Sequence, residues 1–503
     1  MSSLLLFGFV IGYFLLLLGV AFITSRNATN DSFFIGNKSS NWMLVAFGMI
    51  GTSLSGVTFV SVPGTVGDLA PGGGFKAFTY FQVVLGYLLG YLVIAYVLIP
   101  LYYRLNLTSI YNYLEHRFGR FSYKTGTLFF IISRTVGATA RLYLVINVLQ
   151  IFILDAMGVP FLLTAFVILL MILLYTFEGG VKTIVYTDTL QTTFMLLGLV
   201  VCIIYILGQM HFSPGEAMQA LTAKNYTRLF DTDPNSRSFF LKNIVGGAFI
   251  AIAMTGLDQE MMQKNISVRT VKDSQKNILS FTAVLMVVNF LFLLLGGLLY
   301  LYMLDKGAVY DGKQFLVEGK NVIGDDLFPT VAMKFLPQAV GIIFIIGLIS
   351  ALFPSADGAL TALTSSFCID MMGLKRRSDL TEKERKRTRM IVHLSFTIVF
   401  MICILVFKWI DNKSIINIIL DLAGYTYGPL LGLFAFGILT RRVLADGISV
   451  TFVCLLAPLL CYILGKNAAQ WFGGYQIGFE MLLINGALTF AGLWLLSKKA
   501  ATN

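Results

Sequence analysis

Apolar runs of about 20 residues recur along this whole chain, and they are the feature that most restricts its fold. We count about thirteen, at 3–24, 42–63, 77–103, 125–154, 159–177, 187–208, 239–258, 278–303, 338–371, 390–409, 414–438, 445–464 and 480–497. A helix of that length crosses a bilayer, and helices or closed barrels alone satisfy every backbone polar group there. The expected fold is an all-α integral membrane protein. The polar pieces 209–238, 304–337 and 372–389 are the longest, so no separate soluble domain is expected. With 57% hydrophobic and 13% charged residues, the chain lacks the polar surface that a soluble fold of this length needs. The run at 4–24 has no basic region ahead of it and no small-residue cleavage site, and reads as a retained span.

A formal charge of +11 raises nucleic acid as a partner, but the cations sit mostly in short loops, which reads as topology. Placing the N-terminus outside and alternating puts about 23 of the 37 Lys and Arg inside, Arg26, Lys264 and the 375–389 stretch among them. The C-terminus then falls in the cytoplasm of a cell whose inner (plasma) membrane holds the chain. The 375–389 stretch reads as a cytoplasmic anchor, with a lipid-headgroup patch as the alternative. Cys202, Cys368, Cys403, Cys454 and Cys461 all lie in apolar runs and read as small packing residues. His116, His211 and His393 are scattered and suggest no metal site.

Within the second run stands Gly51-Thr52-Ser53-Leu54-Ser55-Gly56, small, hydroxylated and Gly-bounded. Such a stretch is a poor continuous helix, and irregular backbone at membrane depth is tolerated where it faces protein or a wet cavity. In secondary transporters such breaks mark ion and solute sites. A second candidate is Ser350-Ala351-Leu352-Phe353-Pro354-Ser355-Ala356-Asp357-Gly358. Pro354 has no amide donor and crowds the carbonyl four residues back, so the Ser350 carbonyl should be freed and that of Ala351 loosened. With the Ser355 hydroxyl these form a hard-oxygen site suited to a cation such as sodium. A simple proline kink is the plainer reading, but it leaves Asp357 unexplained.

Ionisable groups at membrane depth are costly and functional by default. Asp188 follows the paired glycines Gly179-Gly180, and Gln191 and Thr192 share its helical face. The plainer reading is N-terminal capping by Thr187 or Asp188, and the functional one is an oxygen ligand or a relay on a cation's exit path. Arg134 and Arg141, seven residues apart, can share a face, and an arginine fork suits a carboxylate of the solute, of Asp188 or of Asp357. Asp421 lies near a span end.

These residues resemble the sodium:solute symporter family. The resemblance runs nearly end to end, through Phe33-Phe34-Ile35-Gly36-Asn37-Lys38, the 108–119 stretch from Thr108 to Gly119, the 179–191 segment, Gln259-Glu260 with Gln263-Lys264, and Gly428-Pro429 through Gly437. It implies a LeuT-like fold of two inverted five-helix repeats, at 42–208 and 209–440. The first and sixth core helices would be broken, with accessory helices at 1–41 and 441–503. It also implies a main sodium site from Gly51, Leu54, Ala351 and Ser355, with Pro354 standing where the family carries a hydroxyl. Some members hold a second sodium through the carboxylate matching Asp188. Here the accompanying hydroxyl positions are Asp357 and Gly358, so sodium, a shared proton or an arginine pair all stay open for Asp357.

The solute positions implied by the sialic acid transporters of the family are Ser53, Ser55, Thr58, Phe78, Gln82 and Arg134, with the arginine on the solute carboxylate. The expected activity is sodium-driven alternating-access symport of a small polar solute, a carboxylated sugar such as sialic acid. A neutral sugar, proline or a short carboxylate is the alternative. Solute, sodium ion and bilayer lipid are the expected partners, without nucleic acid or an obligate protein. A sensor would be expected to append a signalling domain, and the chain ends at Asn503 just past the last run. A channel would be expected to show a pore-lining polar ring. No nucleophile–base pair suggests an enzyme.

Overall fold

A computed structural model of the protein describes residues 3–24, 33–34, 38–69, 76–310, 314–410 and 415–499. Arg26 and Ile35, Gly36 and Asn37 of the first motif lie outside the described residues. The apolar runs fold as α1 (Ser3–Thr24), α2 (Trp42–Thr65), α3 (Tyr80–Arg104), α4 (Arg120–Met157), α5 (Phe161–Thr176) and α6 (Thr183–Gln209). There follow α7 (Phe240–Gly256 bent into Gln259–Ile266), α8 (Val271–Asp305), α9 (Gln338–Met371), α10 (Glu382–Ile410), α11 (Ile419–Thr426 bent into Gly428–Leu439), α12 (Ile448–Trp471) and α13 (Met481–Leu496). Among the described residues nine helices are long and apolar enough to cross a membrane, and eleven segments qualify if each bent pair is one span. The expected count of thirteen goes further than this, because α5 and α13 are short.

Burial separates an inner from an outer layer. The apolar windows of α2 and α9 are 78% buried, those of α1 and α12 only 28% and 22%. The two inner helices pack on one another, α2 also on α6 and α8, and α9 also on α4 and the α5–α6 unit. Outer faces leave side chains such as Phe22, Ile204, Ile402 and Leu459 exposed, which suits hydrocarbon. The other close pairs are α3 with α7 and α11 with α13.

Besides the 45° bend of α11, three breaks interrupt this packing. In α2 the irregularity is confined to Ser55 (φ 33, ψ 171), narrower than the expected 51–56 window. The expected loop at Gly179-Gly180 is instead a single departure at Gly180 (φ 53, ψ −148), inside a helical stretch running Phe161–Gln209. A side chain there would run into the backbone of Phe33. In α7 the axis turns by 65° beyond a widened π-helical turn at Ile252–Gly256. The 304–337 piece holds a small antiparallel sheet, Val309–Tyr310, Phe315–Val317 and Lys320–Val322, the one sheet among the described residues.

Candidate functional site

The break in α2 faces α9. The Gly51 amide donates to Thr192 Oγ1 on α6 (3.1 Å). The space beside Gly51 is filled by that hydroxyl and by the Pro354 ring, 3.6 Å from where a Cβ would stand. Across Gly56 lie Val145 and the Ala351 carbonyl oxygen, the latter 3.9 Å from the equivalent point. Only glycine permits these approaches. Ser355 Oγ donates to the Leu352 carbonyl (3.0 Å), and its lone pairs stay free to accept or to ligate. Leu54, Ala351 and Ser355 are buried. Among the described residues no group of three or more His, Cys, Asp or Glu is placed to hold a metal. A cation at this junction would therefore be held by carbonyls and a hydroxyl.

Beside it runs a ladder of buried charge. Lys264 Nζ lies 2.7 Å from Asp188 Oδ2 and donates also to Thr52 Oγ1 (2.7 Å). Thr52 Oγ1 is 3.2 Å from the same carboxylate. Glu260, one turn before Lys264, has Oε1 at 3.6 Å from its ammonium, and its other oxygen pairs with Arg134. Arg134 Nη1 is 3.9 Å from Asp258, which caps the Gln259–Ile266 segment through the amides of Glu260 and Met261 and accepts from Tyr427 Oη (3.0 Å). All five charged side chains are at most 4% exposed.

Three expectations change here. Lys264, counted with the loop cations, is buried, because the bend in α7 folds its segment back into the core. Asp188 does not cap a helix: it lies two turns beyond Gly180, and its Oδ2 accepts from Lys264. Arg134 pairs with Glu260 and Asp258, and with neither Asp188 nor Asp357. Asp357 accepts from Tyr175 Oη (2.7 Å) and from the Gly358 amide, and has no cation within 4 Å among the described residues. Glu260 occupies the space that a side chain at Gly358 would need.

Sequence reasoning gave Asp258, Glu260, Lys264 and Tyr175 no functional role. The clue was there: three ionisable residues within seven positions, Asp258 closing the 239–258 run and Glu260 and Lys264 just after it.

Next to the break lies a cavity of about 90 Å³, walled by Ser53, Ser55, Thr58, Tyr80, Tyr91, Thr255, Arg134 and Arg141 among others. At about 90 Å³ it falls well short of the roughly 300–1,000 Å³ of small-molecule sites, so a sugar-sized solute would need it to widen. Phe78 and Gln82 do not line it in this conformation. Gln82 Nε2 is committed to the Leu229 carbonyl (2.7 Å) and its oxygen to Asn243 (3.2 Å), while Phe78 packs edge-on to Phe290. Tyr80 and Leu420 are shared with a second, larger space of about 340 Å³ whose wall carries Lys76 and Arg237.

An unwound α2, a bent α7 and a small polar cavity between them define a secondary transporter of the inverted-repeat, LeuT-like fold. Residues 33–453 match the model of the sodium:solute symporter family, and the chain belongs to that family. It is 23% identical over 492 residues to the sodium/sialic acid symporter SiaT of Proteus mirabilis, covering 96% of this chain and 93% of that one. It is likewise 23% identical over 481 residues to the sodium/sialic acid symporter NanT of Aliivibrio fischeri, covering 94% and 89%. Its fold superposes on the substrate-bound, outward-open structure of a Na+-coupled sialic acid symporter with a TM-score of 0.81, at 20% identity over 98% of this chain and 99% of that one. As a member of this family the protein is a multi-pass membrane transporter coupled to sodium, not an enzyme.

Proposed function

We propose that this protein imports a carboxylated sugar, of which sialic acid is the model, with sodium as the driving ion. The observation that carries the sodium site is the unwound Ser55 of α2, flanked by Gly51 against the Pro354 ring and Gly56 against the Ala351 carbonyl of α9. Peptide oxygens of Gly51, Leu54 and Ala351 with the Ser355 hydroxyl form the ion's cradle, and the ring of Pro354 closes its side. Sodium bound there joins α2 to α9, and so favours the conformation in which the adjacent cavity accepts solute.

Three features support an acidic sugar. The cavity wall offers hydroxyls from Ser53, Ser55, Thr58 and Thr255. It carries guanidinium groups on α4. Two relatives matched over most of the chain are sodium/sialic acid symporters. The repeats are read as 42–208 and 209–440. In the plasma membrane the N-terminus is placed outside and the C-terminus inside, so that the Lys76–Arg237 vestibule opens outward.

Reconstituted liposomes with an inward sodium gradient test the reading. Uptake of labelled N-acetylneuraminate should stop when choline replaces sodium. Accumulation indifferent to that replacement would refute sodium coupling, and sodium-driven uptake of proline or glucose in preference to the acid would refute the solute assignment.

A further inference from the structure

Helix α4 places two arginines, two turns apart, on the wall of one cavity. Their surroundings differ. Arg134 is already neutralised, by Glu260 through Nη2 and by Asp258 at 3.9 Å. An incoming carboxylate at Arg134 would meet two carboxylates the protein put there first. Arg141 has no ion pair and no hydrogen bond among the described residues. It is half-buried, and shares the wall with Thr58, Tyr80, Tyr87 and Tyr91. A half-buried guanidinium with no counter-ion within 4 Å among the described residues gives up part of its hydration and gains only longer-range attraction from Glu260 and Asp258. Its planar fork is free for a bidentate anion.

Tyr80 separates this cavity from the larger space, where Lys76 pairs with Asp68 (2.9 Å) and Arg237 with Asp421, so of the four cations lining the two spaces Arg141 alone is without an ion pair among the described residues. Hydroxyls of Tyr80 and Tyr87, 3.5 Å apart, lie on the same wall and can serve the hydroxyls of a sugar.

We propose that Arg141 holds the carboxylate of the transported solute, while Arg134 stays with Glu260 and Asp258 as a strut between α4 and α7. This rests on the reading of the solute as a carboxylated sugar.

The test uses the full-length protein in sodium, and measures competition binding of N-acetylneuraminate and of its methyl ester, in which the charge is masked. Wild type should prefer the acid by about 30-fold or more, the usual loss when one partner of a buried charge pair is removed. Arg141→Gln should lose that preference, and Arg141→Lys should recover part of it. Without solute, Arg141→Gln should melt no lower than wild type, since it removes an uncompensated charge. Arg134→Gln should melt lower and keep the acid preference in the protein that stays folded.

An Arg141→Gln variant with an intact preference overturns the proposal. So does a normally melting Arg134→Gln variant that alone abolishes it. A collapse of Arg141→Gln repaired by Arg141→Lys without return of the preference would assign Arg141 to the fold, and overturns it too. If wild-type protein, still stabilised by sodium, does not distinguish acid from ester, the acidic-sugar reading itself fails. That outcome is separate because it involves neither variant.

Discussion

At the scale of single residues, the chemistry divides into a cradle of neutral oxygens and a ladder of charge, and each answers to a different substitution. Removing one oxygen ligand by Ser355→Ala should weaken sodium by about tenfold, taking roughly 1.4 kcal/mol for one lost interaction. Because coupling is reciprocal, solute affinity should fall with it when sodium is limiting. Sodium titrations of uptake at fixed solute, and the converse, check both halves. The ladder responds through stability. Lys264→Met strands Asp188, while Glu260 keeps Arg134, and should cost about 3–5 kcal/mol. Asp188→Asn combined with Lys264→Gln should recover part of that loss, and melting of the purified single and double variants measures the coupling. Much of this was legible in the chain. Asp188, Asp357, Arg134 and Arg141 announce themselves because a charge inside an apolar run has no bland explanation. Lys264 does not, because it follows the run, and only the 65° turn of α7 brings it inside. Local sequence carries no measure of that angle.

At the scale of elements, close backbone approach decides which helices meet. Gly86 and Gly90 of α3 lie against the backbone of α7 at Ile244 and Ala248, and Gly247 of α7 lies against Val83. A Cβ at any of these points would overlap main-chain atoms, which cannot swing aside as a side chain does. Small residues are what lets two membrane helices touch. Gly86→Val should therefore force α3 from α7 and abolish folded protein, read as loss of the monodisperse peak in detergent. Gly137→Val, where the structure leaves open space, should not.

The 108–119 motif is an element-scale device as well. Arg117 donates to the carbonyls of Gly437, Thr440 and Arg442 at the end of α11, and Ser109 to Asp370 (2.7 Å). Glu115 is gripped by Arg376, whose hydrogen bond holds its carboxyl below the usual glutamate range. Such a depressed group contributes stability above its unfolded pKa, and that contribution is lost as the pH falls through the folded value. Wild type should out-melt Glu115→Gln at pH 7, and the gap should close as the pH falls below about 4.3. Arg376 is largely exposed, so solvent screening limits the gap to under about 1 kcal/mol. The motif was legible as a family feature, while its role as a clasp between a loop and two helix ends depends on contacts more than 250 residues apart in the chain.

At the scale of the whole molecule, transport requires that the small cavity and the larger vestibule be joined and parted in turn. Tyr80 and Leu420 stand between them, and next to Leu420 the Asp421 carboxylate on α11 pairs with Arg237 from the 209–238 connection. That ion pair fastens α11 to the 209–238 connection beside the larger space. Its side chains are 43% and 42% exposed, so it is worth at most about 1 kcal/mol, enough to shift an open–closed equilibrium by up to about fivefold. Breaking it with Arg237→Ala should leave the fold intact and raise the population open to the vestibule. A cysteine placed at Met254, on the cavity wall, reports that population through its reaction with a membrane-impermeant maleimide. The native thiols interfere little, since Cys403 alone among the five is more than marginally accessible, and a Cys403→Ser background removes it. In that background Arg237→Ala should speed labelling several-fold at low salt. The advantage should narrow at high salt, where an exposed pair is already screened. Labelling that is unchanged, or slowed, would mean that the Arg237–Asp421 pair does not hold the mouth shut, and that the barrier to opening lies elsewhere, with Tyr80 and Leu420, which line both spaces, the next residues to test.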